Sequence, residues 1–245
     1  MEQPMLLTFD VDWAADFMID AISAEMIERE VQSTWLITHA SPAVDRLRAR
    51  PDLFELGIHP NFLDGSSHGS TVAEILRTCM DIVPEATTMR SHALVQSSPI
   101  LAHVIESTPI RCDSSILLPA ASNLAPVGFP HAEGPLVRVP YFWEDDIEMI
   151  RSPPRWSLDG GAKAPGLRVF DFHPALVYLN AVDAGPYQSL KALGPLPAVS
   201  EQVAAGLVHD GAGPRTLFLE IADRLAEEGS RTLRDVAAAH RRDVT

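Results

Sequence analysis

Several absences narrow the field before any motif is considered. No apolar run in the 245 residues approaches the ~20 needed to cross a bilayer, so no membrane span is expected. The amino terminus has no basic segment leading into an apolar stretch and a small-residue cleavage site. Met5 to Phe9 reads instead as a first core strand, and a cytoplasmic location is the expectation. Positive charge is scarce: 19 basic residues against 33 acidic ones leave a formal net charge of -14. Such a chain repels phosphate backbones, which argues against nucleic acid as a partner. Cysteine is scarcer still. Cys79 and Cys112 lie far apart, form no C-x-x-C pair, and read as two free thiols in a reducing compartment. There is no internal repeat and no low-complexity tract, which excludes a solenoid.

What remains is a chain that is 46% hydrophobic and long enough for one large α/β domain spanning residues 1–245. Short apolar runs alternate with longer amphipathic stretches. Strands are predicted at Met5–Asp10, Ser33–Thr38, Phe54–Ile58, Thr87–Arg90, Pro109–Asp113, Leu136–Pro140 and Leu167–Phe172. Helices are predicted at Ala15–Val31, Pro42–Arg50, Thr71–Ile82 and Ser98–Glu106, the third capped by Ser70 or Thr71, with Glu74 at capping-box spacing from the latter. The core covers about residues 5–180, with a helical tail from about 214 to 245. Leu117–Pro135 and Arg151–Pro165 are long Pro-, Gly- and Ala-rich loops of the kind that form rims and lids, and Ala181–Pro197 reads as irregular.

Polar residues cluster where the predicted strands end. Asp10/Asp12, His59/Asn61, Arg90/His92 and Asp171/His173 are all i, i+2 pairs, and side chains two apart in an extended segment share a side. Parallel strands of a barrel deliver their carboxyl ends to one face, so these pairs would meet over a single mouth. One such pair is weak evidence, since an acidic pair alone also suits a solvated turn. Four pairs on four strands point to a hydrolytic metal site. One carboxylate of Asp10/Asp12 could bind a divalent ion while the other takes a proton from water. His59 and His173 offer imidazoles, Asp171 could orient the His173 ring, and Arg90 could keep Asp10 ionised. Tyr141, Phe142 and Trp143 could form a platform for a sugar ring, with Glu144, Asp145 and Asp146 reaching its hydroxyls.

As an ordered set these signatures resemble the NodB-type polysaccharide deacetylases, carbohydrate esterase family 4. Thr8-Phe9-Asp10-Val11-Asp12 is similar to the T-F-D-D opening motif, with one residue between the acids. Ser33-Thr34-Trp35-Leu36-Ile37 resembles A-T-F-F-V, and Glu55-Leu56-Gly57-Ile58-His59 resembles E-I-G-x-H. Arg90 stands at the R-x-P-Y arginine, Asp113-Ser114-Ser115 matches Y-D-S-S, and Phe170-Asp171-Phe172-His173-Pro174 is similar to the closing strand. The loop from His59 to His68 further resembles the WbmS-like branch, associated with O-antigen sugar biosynthesis.

The resemblance implies a distorted (β/α)7 barrel and removal of an acetyl group, N-acetyl favoured, from a free, nucleotide-linked, lipid-linked or polymeric sugar. It implies a divalent metal, zinc favoured over cobalt, nickel or manganese, held by Asp12, His59 and His68. Asp10 would be the general base set by Arg90, and His173 the general acid, with Asp171 or Asp145 orienting it. Asn61, His92, Tyr141 and Trp143 would contact substrate. Two departures stand out. The family's second metal histidine falls at Leu63, with His68 the leading substitute and Asn61 and His92 behind it. The Pro-Tyr after the motif arginine is absent. A metal-dependent phosphatase or amidohydrolase on a similar barrel, and a barrel that only binds glycans, are the rival classes.

Overall fold

A computed structural model describes residues 5–158 and 165–244. The seven predicted strands are all present: β1 (Met5–Asp10), β2 (Ser33–Ile37), β3 (Phe54–Ile58), β4 (Thr88–Met89), β5 (Cys112–Asp113), β7 (Leu136–Arg138) and β9 (Arg168–Phe172). Two short strands join them, β6 (Val127–Phe129) inside the first long loop and β8 (Trp143–Glu144). The sheet order is β6-β7-β5-β4-β3-β2-β1-β9-β8. Every pairing is parallel except that of β6 with β7. The sheet curls with helices outside it, and the architecture is a distorted (β/α)7 barrel.

Strand alternation sorts the side chains. On β1 and its partners, Phe9, Trp35 and Phe172 point outward, where Phe9 stacks on Trp35 at 4.3 Å between ring centroids. Phe218 of α9 (Pro214–Glu228) covers that wall, edge-on to Phe9 at 5.8 Å and to Phe172 at 5.9 Å. Burial on both faces explains why β1 reads as a nearly unbroken apolar run. Polar residues line much of the inward face. Thr34, Glu55 and Thr88 form a lower layer, where the Glu55 carboxylate accepts from both threonine hydroxyls. Above it lie Thr8, Asp10, Arg90 and Asp171. Gly57 is required by close packing, since a Cβ there would stand 2.7 Å from the Thr88 carbonyl oxygen.

The helices, among them α1 (Asp16–Glu28), α4 (Ser98–Ser107) and α8 (Glu201–Ala205), follow their sequence signals. Thr71 and Glu74 make the capping box that opens α3 (Val72–Ile82), and Ser41 caps α2 (Pro42–Arg48) by accepting from the Val44 N–H. The segment expected to be irregular after Ala181 instead carries α7 (Gly185–Lys191). Seven residues with a proline in the first turn are too few to show a helical period. The helical tail divides at Gly229, φ +91°, into α9 and α10 (Leu233–Val244). Residues 159–164 of the second predicted loop lie outside the described residues. Among the described residues no helix is long and apolar enough to cross a membrane.

Candidate active site

Arg90 leaves β4 pointing into the barrel and is fully buried. Its Nη1 donates to Asp10 Oδ1 at 2.8 Å and also to Asp171 Oδ1. Nε donates to the Ser114 carbonyl at 3.0 Å, and Nη2 to the Thr8 and Ser114 hydroxyls at 3.0 and 3.1 Å. The Tyr141 ring lies over the guanidinium, 4.2 Å from Cζ to the ring centroid. Burial opposes the arginine's charge, but Asp10 and Asp171 more than offset it and raise its pKa. Burial pushes the Asp171 carboxyl well above its ordinary range although Arg90 pulls the other way. Asp171 Oδ2 is buried with no hydrogen-bond partner.

At the mouth, three ligand-type atoms face one another. Asp12 Oδ1 lies 3.2 Å from His59 Nε2 and 3.0 Å from His92 Nδ1, and the two imidazole nitrogens are 3.3 Å apart. Asp12 arrives there because Asp12 and Trp13 both take left-handed backbone conformations, φ +45° and +56°, which turn the chain back after β1. His92 arrives because the chain bends sharply after Ser91, its N–H donating to the Pro60 carbonyl at 2.9 Å. Burial alone would raise the Asp12 carboxyl, but hydrogen bonds with His59 and His92 and the charges of His59 and His173 carry it far below the ordinary range. Ligands at about 2.0–2.2 Å from one small cation stand roughly 2.8–3.6 Å apart in tetrahedral or octahedral arrangements. All three measured separations fall in that interval, so a carboxylate and two imidazoles here fit a divalent ion.

His173 stands just past β9 as the N-cap of α6 (Pro174–Leu179). Its Nδ1 lies 2.7 Å from Asp145 Oδ1, and its backbone N–H donates to Asp145 Oδ2 at 2.9 Å. Nε2 is left facing Asp12 Oδ2 at 3.6 Å. Burial opposes protonation of this imidazole, but Asp145, then Asp12 and Asp146, raise its pKa well above the usual value. Ligand atoms of Asp10, Glu144, Asp171 and His173 all lie within 4.8 Å of one another. Asp10 Oδ2 lies 3.6 Å from His59 Nε2, so Asp10 and His173 approach the three-atom group separately.

Several expectations from the sequence are met by a different geometry. His68, expected on the ion, stands outside the group formed by Asp12, His59 and His92: Nε2 lies 2.7 Å from the Thr38 carbonyl and Nδ1 accepts the Asn61 N–H at 3.2 Å. His92, expected to contact substrate and named behind His68 as a second metal histidine, stands beside Asp12 and His59. Asp171 does not touch His173 in the way Asp145 does; its hydrogen bonds are with Thr8 and Arg90. Tyr141 is fully buried under Arg90 and offers a sugar no surface. Trp143 points to the outer wall, against Phe170, Phe172 and Trp156, because alternation along β8 sends Glu144 inward. Asn61 sits at the rim, its Oδ1 accepting the Leu63 N–H at 3.0 Å. Asp113 and Ser115 form a supporting network, with Arg138 donating to Asp113 at 2.8 Å and Ser115 accepting the Ser91 N–H at 2.9 Å. Sequence reasoning missed Trp13, whose ring packs between His68 and His92; its position next to Asp12 was the only available hint.

A curled barrel with carboxylates, imidazoles and a buried arginine gathered at its strand ends is the deacetylase type of (β/α)7 fold. The profile of the WbmS-like polysaccharide deacetylases matches residues 7–191, and the chain belongs to that family. It is similar to the crystal structure of WbmS from Bordetella bronchiseptica, with 33% identity, 90% of each chain covered and a TM-score of 0.79. That protein is described as a polysaccharide deacetylase involved in O-antigen biosynthesis. More distant similarity extends to the peptidoglycan deacetylase PdaC from Bacillus subtilis, with 13% identity over 98% of this chain and 94% of that one, TM-score 0.47. It extends also to a family 4 acetyl xylan esterase from Clostridium thermocellum in complex with a cobalt ion, with 13% identity over 97% and 91%, TM-score 0.47. No curated protein matches this chain.

Proposed function

We propose that this chain is a divalent-cation-dependent deacetylase that hydrolyses an N-acetyl group on a sugar destined for surface polysaccharide, of the O-antigen kind. The observation that carries the reading is the placement of Asp10 and His173 beside the three facing atoms of Asp12, His59 and His92. Membership in the polysaccharide deacetylase family and the likeness to WbmS support the substrate class.

Asp12, His59 and His92 would hold the ion, zinc being favoured by a set of two imidazoles and one carboxylate. When bound, such an ion supplies Lewis-acid polarisation of the acyl oxygen and eases deprotonation of a water. Asp10 is the general base. Arg90 fixes its Oδ1, which leaves Oδ2 to receive the proton of the attacking water. His173 is the general acid. Asp145 takes its Nδ1–H, so the proton on Nε2 is the one passed to the departing amine nitrogen. The C–N bond breaks as that proton arrives, and acetate and a free amine result. Arg90 and Asp171 hold the base in place from below and do not reach the scissile bond.

The test is acetate release from N-acetylated sugars offered free, nucleotide-linked, lipid-linked and as polymer. Purified protein is compared before and after chelation and after return of zinc or cobalt. Release that depends on the returned ion and is lost in Asp10→Asn and His173→Ala supports the reading. Uptake of the ion without acetate release from any form would leave a glycan-binding barrel in its place.

A further inference from the structure

We propose that His68 is a positioning residue, a buried imidazole that locks together the strand ends presenting Asp12, His59 and His92. The inference rests on the reading of those three side chains as a cation site.

The bonding of the ring fixes its chemistry. A carbonyl oxygen can only accept, so the 2.7 Å contact with Thr38 O places the ring hydrogen on Nε2. A backbone N–H can only donate, so Nδ1 accepts from Asn61 at 3.2 Å, and the Cys79 thiol faces the same nitrogen at 3.4 Å. Both nitrogens are therefore engaged, and the ring has no free lone pair for an ion. His68 is only 4% exposed. The loop carrying it folds inward with Ser66 Oγ accepting the His68 N–H at 3.1 Å.

Each bond leads to a ligand. Asn61 is two residues past His59. Thr38 directly follows β2, and its hydroxyl accepts the Trp13 N–H at 2.9 Å, which braces the left-handed pair Asp12–Trp13. That conformation is uncommon for non-glycine residues and persists only where the surroundings hold it. The Trp13 ring lies 5.4 Å from the His68 ring at 31°, and 5.4 Å from the His92 ring at 85°. The third ligand is thus reached through the indole. A histidine that merely filled space would need neither the two directed bonds nor this connection to all three ligands.

His68→Leu keeps much of the apolar bulk and removes both bonds; His68→Gln can restore one donor and one acceptor. Cobalt affinity, the visible spectrum of the cobalt form and the urea midpoint are measured for both. The Trp13 indole NMR resonance of metal-free protein, assigned with Trp13→Phe, is followed as well. Outer partners of metal ligands commonly set affinity by 10–100-fold, so His68→Leu should bind cobalt about 10–100-fold more weakly, with the same number of imidazole ligands, and the Trp13 resonance should move. His68→Gln should recover part of both and serves alone should the leucine variant fail to fold. Unchanged cobalt affinity in His68→Leu, or a cobalt spectrum showing one imidazole lost, overturns the proposal. Should the wild type bind no cobalt, the cation reading falls. The indole resonance then decides the positioning role: a shift sustains it, and an unmoved resonance ends it.

Discussion

Both carboxylate oxygens of Asp145 accept from His173, one from the ring at 2.7 Å and one from the backbone N–H at 2.9 Å. Burial acts to lower the imidazole pKa, and the Asp145 charge and hydrogen bond more than reverse it. Asp145→Asn should therefore reduce turnover by about 10²–10⁴-fold. It should also move the alkaline limb of the pH–rate profile to lower pH, because a general acid is lost once pH exceeds its pKa. Acetate release measured across pH checks this. A rate loss with an unmoved alkaline limb would detach Asp145 from proton transfer.

Arg90 is the only lysine or arginine paired with Asp10 and Asp171 among the described residues. Arg90→Met leaves two buried carboxylates uncompensated and should cost about 3–5 kcal/mol of stability. Arg90→Lys keeps the charge but cannot reach Thr8, Ser114, Asp10 and Asp171 together, so its loss should be smaller yet measurable. Urea unfolding of the metal-free proteins gives both values. A loss below about 1 kcal/mol for the methionine variant would contradict the pairing.

Glu144 gives a pH signature of its own. Burial, then the charge of Asp146, pushes its carboxyl up to about 8 against an ordinary value of 4.5. A folded pKa above the unfolded one means that the native state holds the proton more tightly. Its contribution is complete below pH ~4.5 and is lost as pH rises toward ~8. Glu144→Gln should flatten the fall in stability across that window and gain on the order of 2–4 kcal/mol over the wild type at pH 8. Denaturation midpoints at several pH values test it; parallel curves for the two proteins would rule it out.

Glu55 belongs to the motif that ends in His59, yet it works at the opposite end of the barrel. Its carboxylate accepts the Arg234 N–H at 3.0 Å as well as the Thr34 and Thr88 hydroxyls, while Thr34 Oγ1 accepts the Leu233 N–H at 3.0 Å. The first turn of α10 is thereby anchored to the barrel floor. Glu55→Ala strands several buried donors at roughly 1–3 kcal/mol each, and a total loss of about 2–5 kcal/mol is expected. Amide exchange at the start of α10 should rise, with cobalt affinity unchanged. Exchange at unaltered rates would remove the anchoring role.

The strands and the convergence of their ends were legible because apolar runs and i, i+2 pairs are local signals. The partners of each pair were less so. Spacing puts Asp171 and His173 on one side, but Asp171 ends inside the ladder beneath Arg90 while His173 lies beyond it and turns toward α5 (Asp145–Met149). Where His68 and His92 come to stand depended on how a nine-residue return from His59 folds, and the backbone groups of Thr38 and Asn61 hold the His68 ring apart from Asp12. No spacing records those. Trp143 was misdirected because β8 is two residues long, too short for alternation to be read from sequence.

Val11, fully buried between the two acids, donates its N–H to the Leu36 carbonyl at 3.1 Å. Asp10 consequently takes its place from the sheet, and Asp12 from the reversal that follows. The two carboxylates stand on mechanically separate supports. On the proposed assignment of roles, altering the reversal would loosen or tighten the grip on an ion while the proton acceptor stayed where it is, so the two functions could be adjusted one at a time.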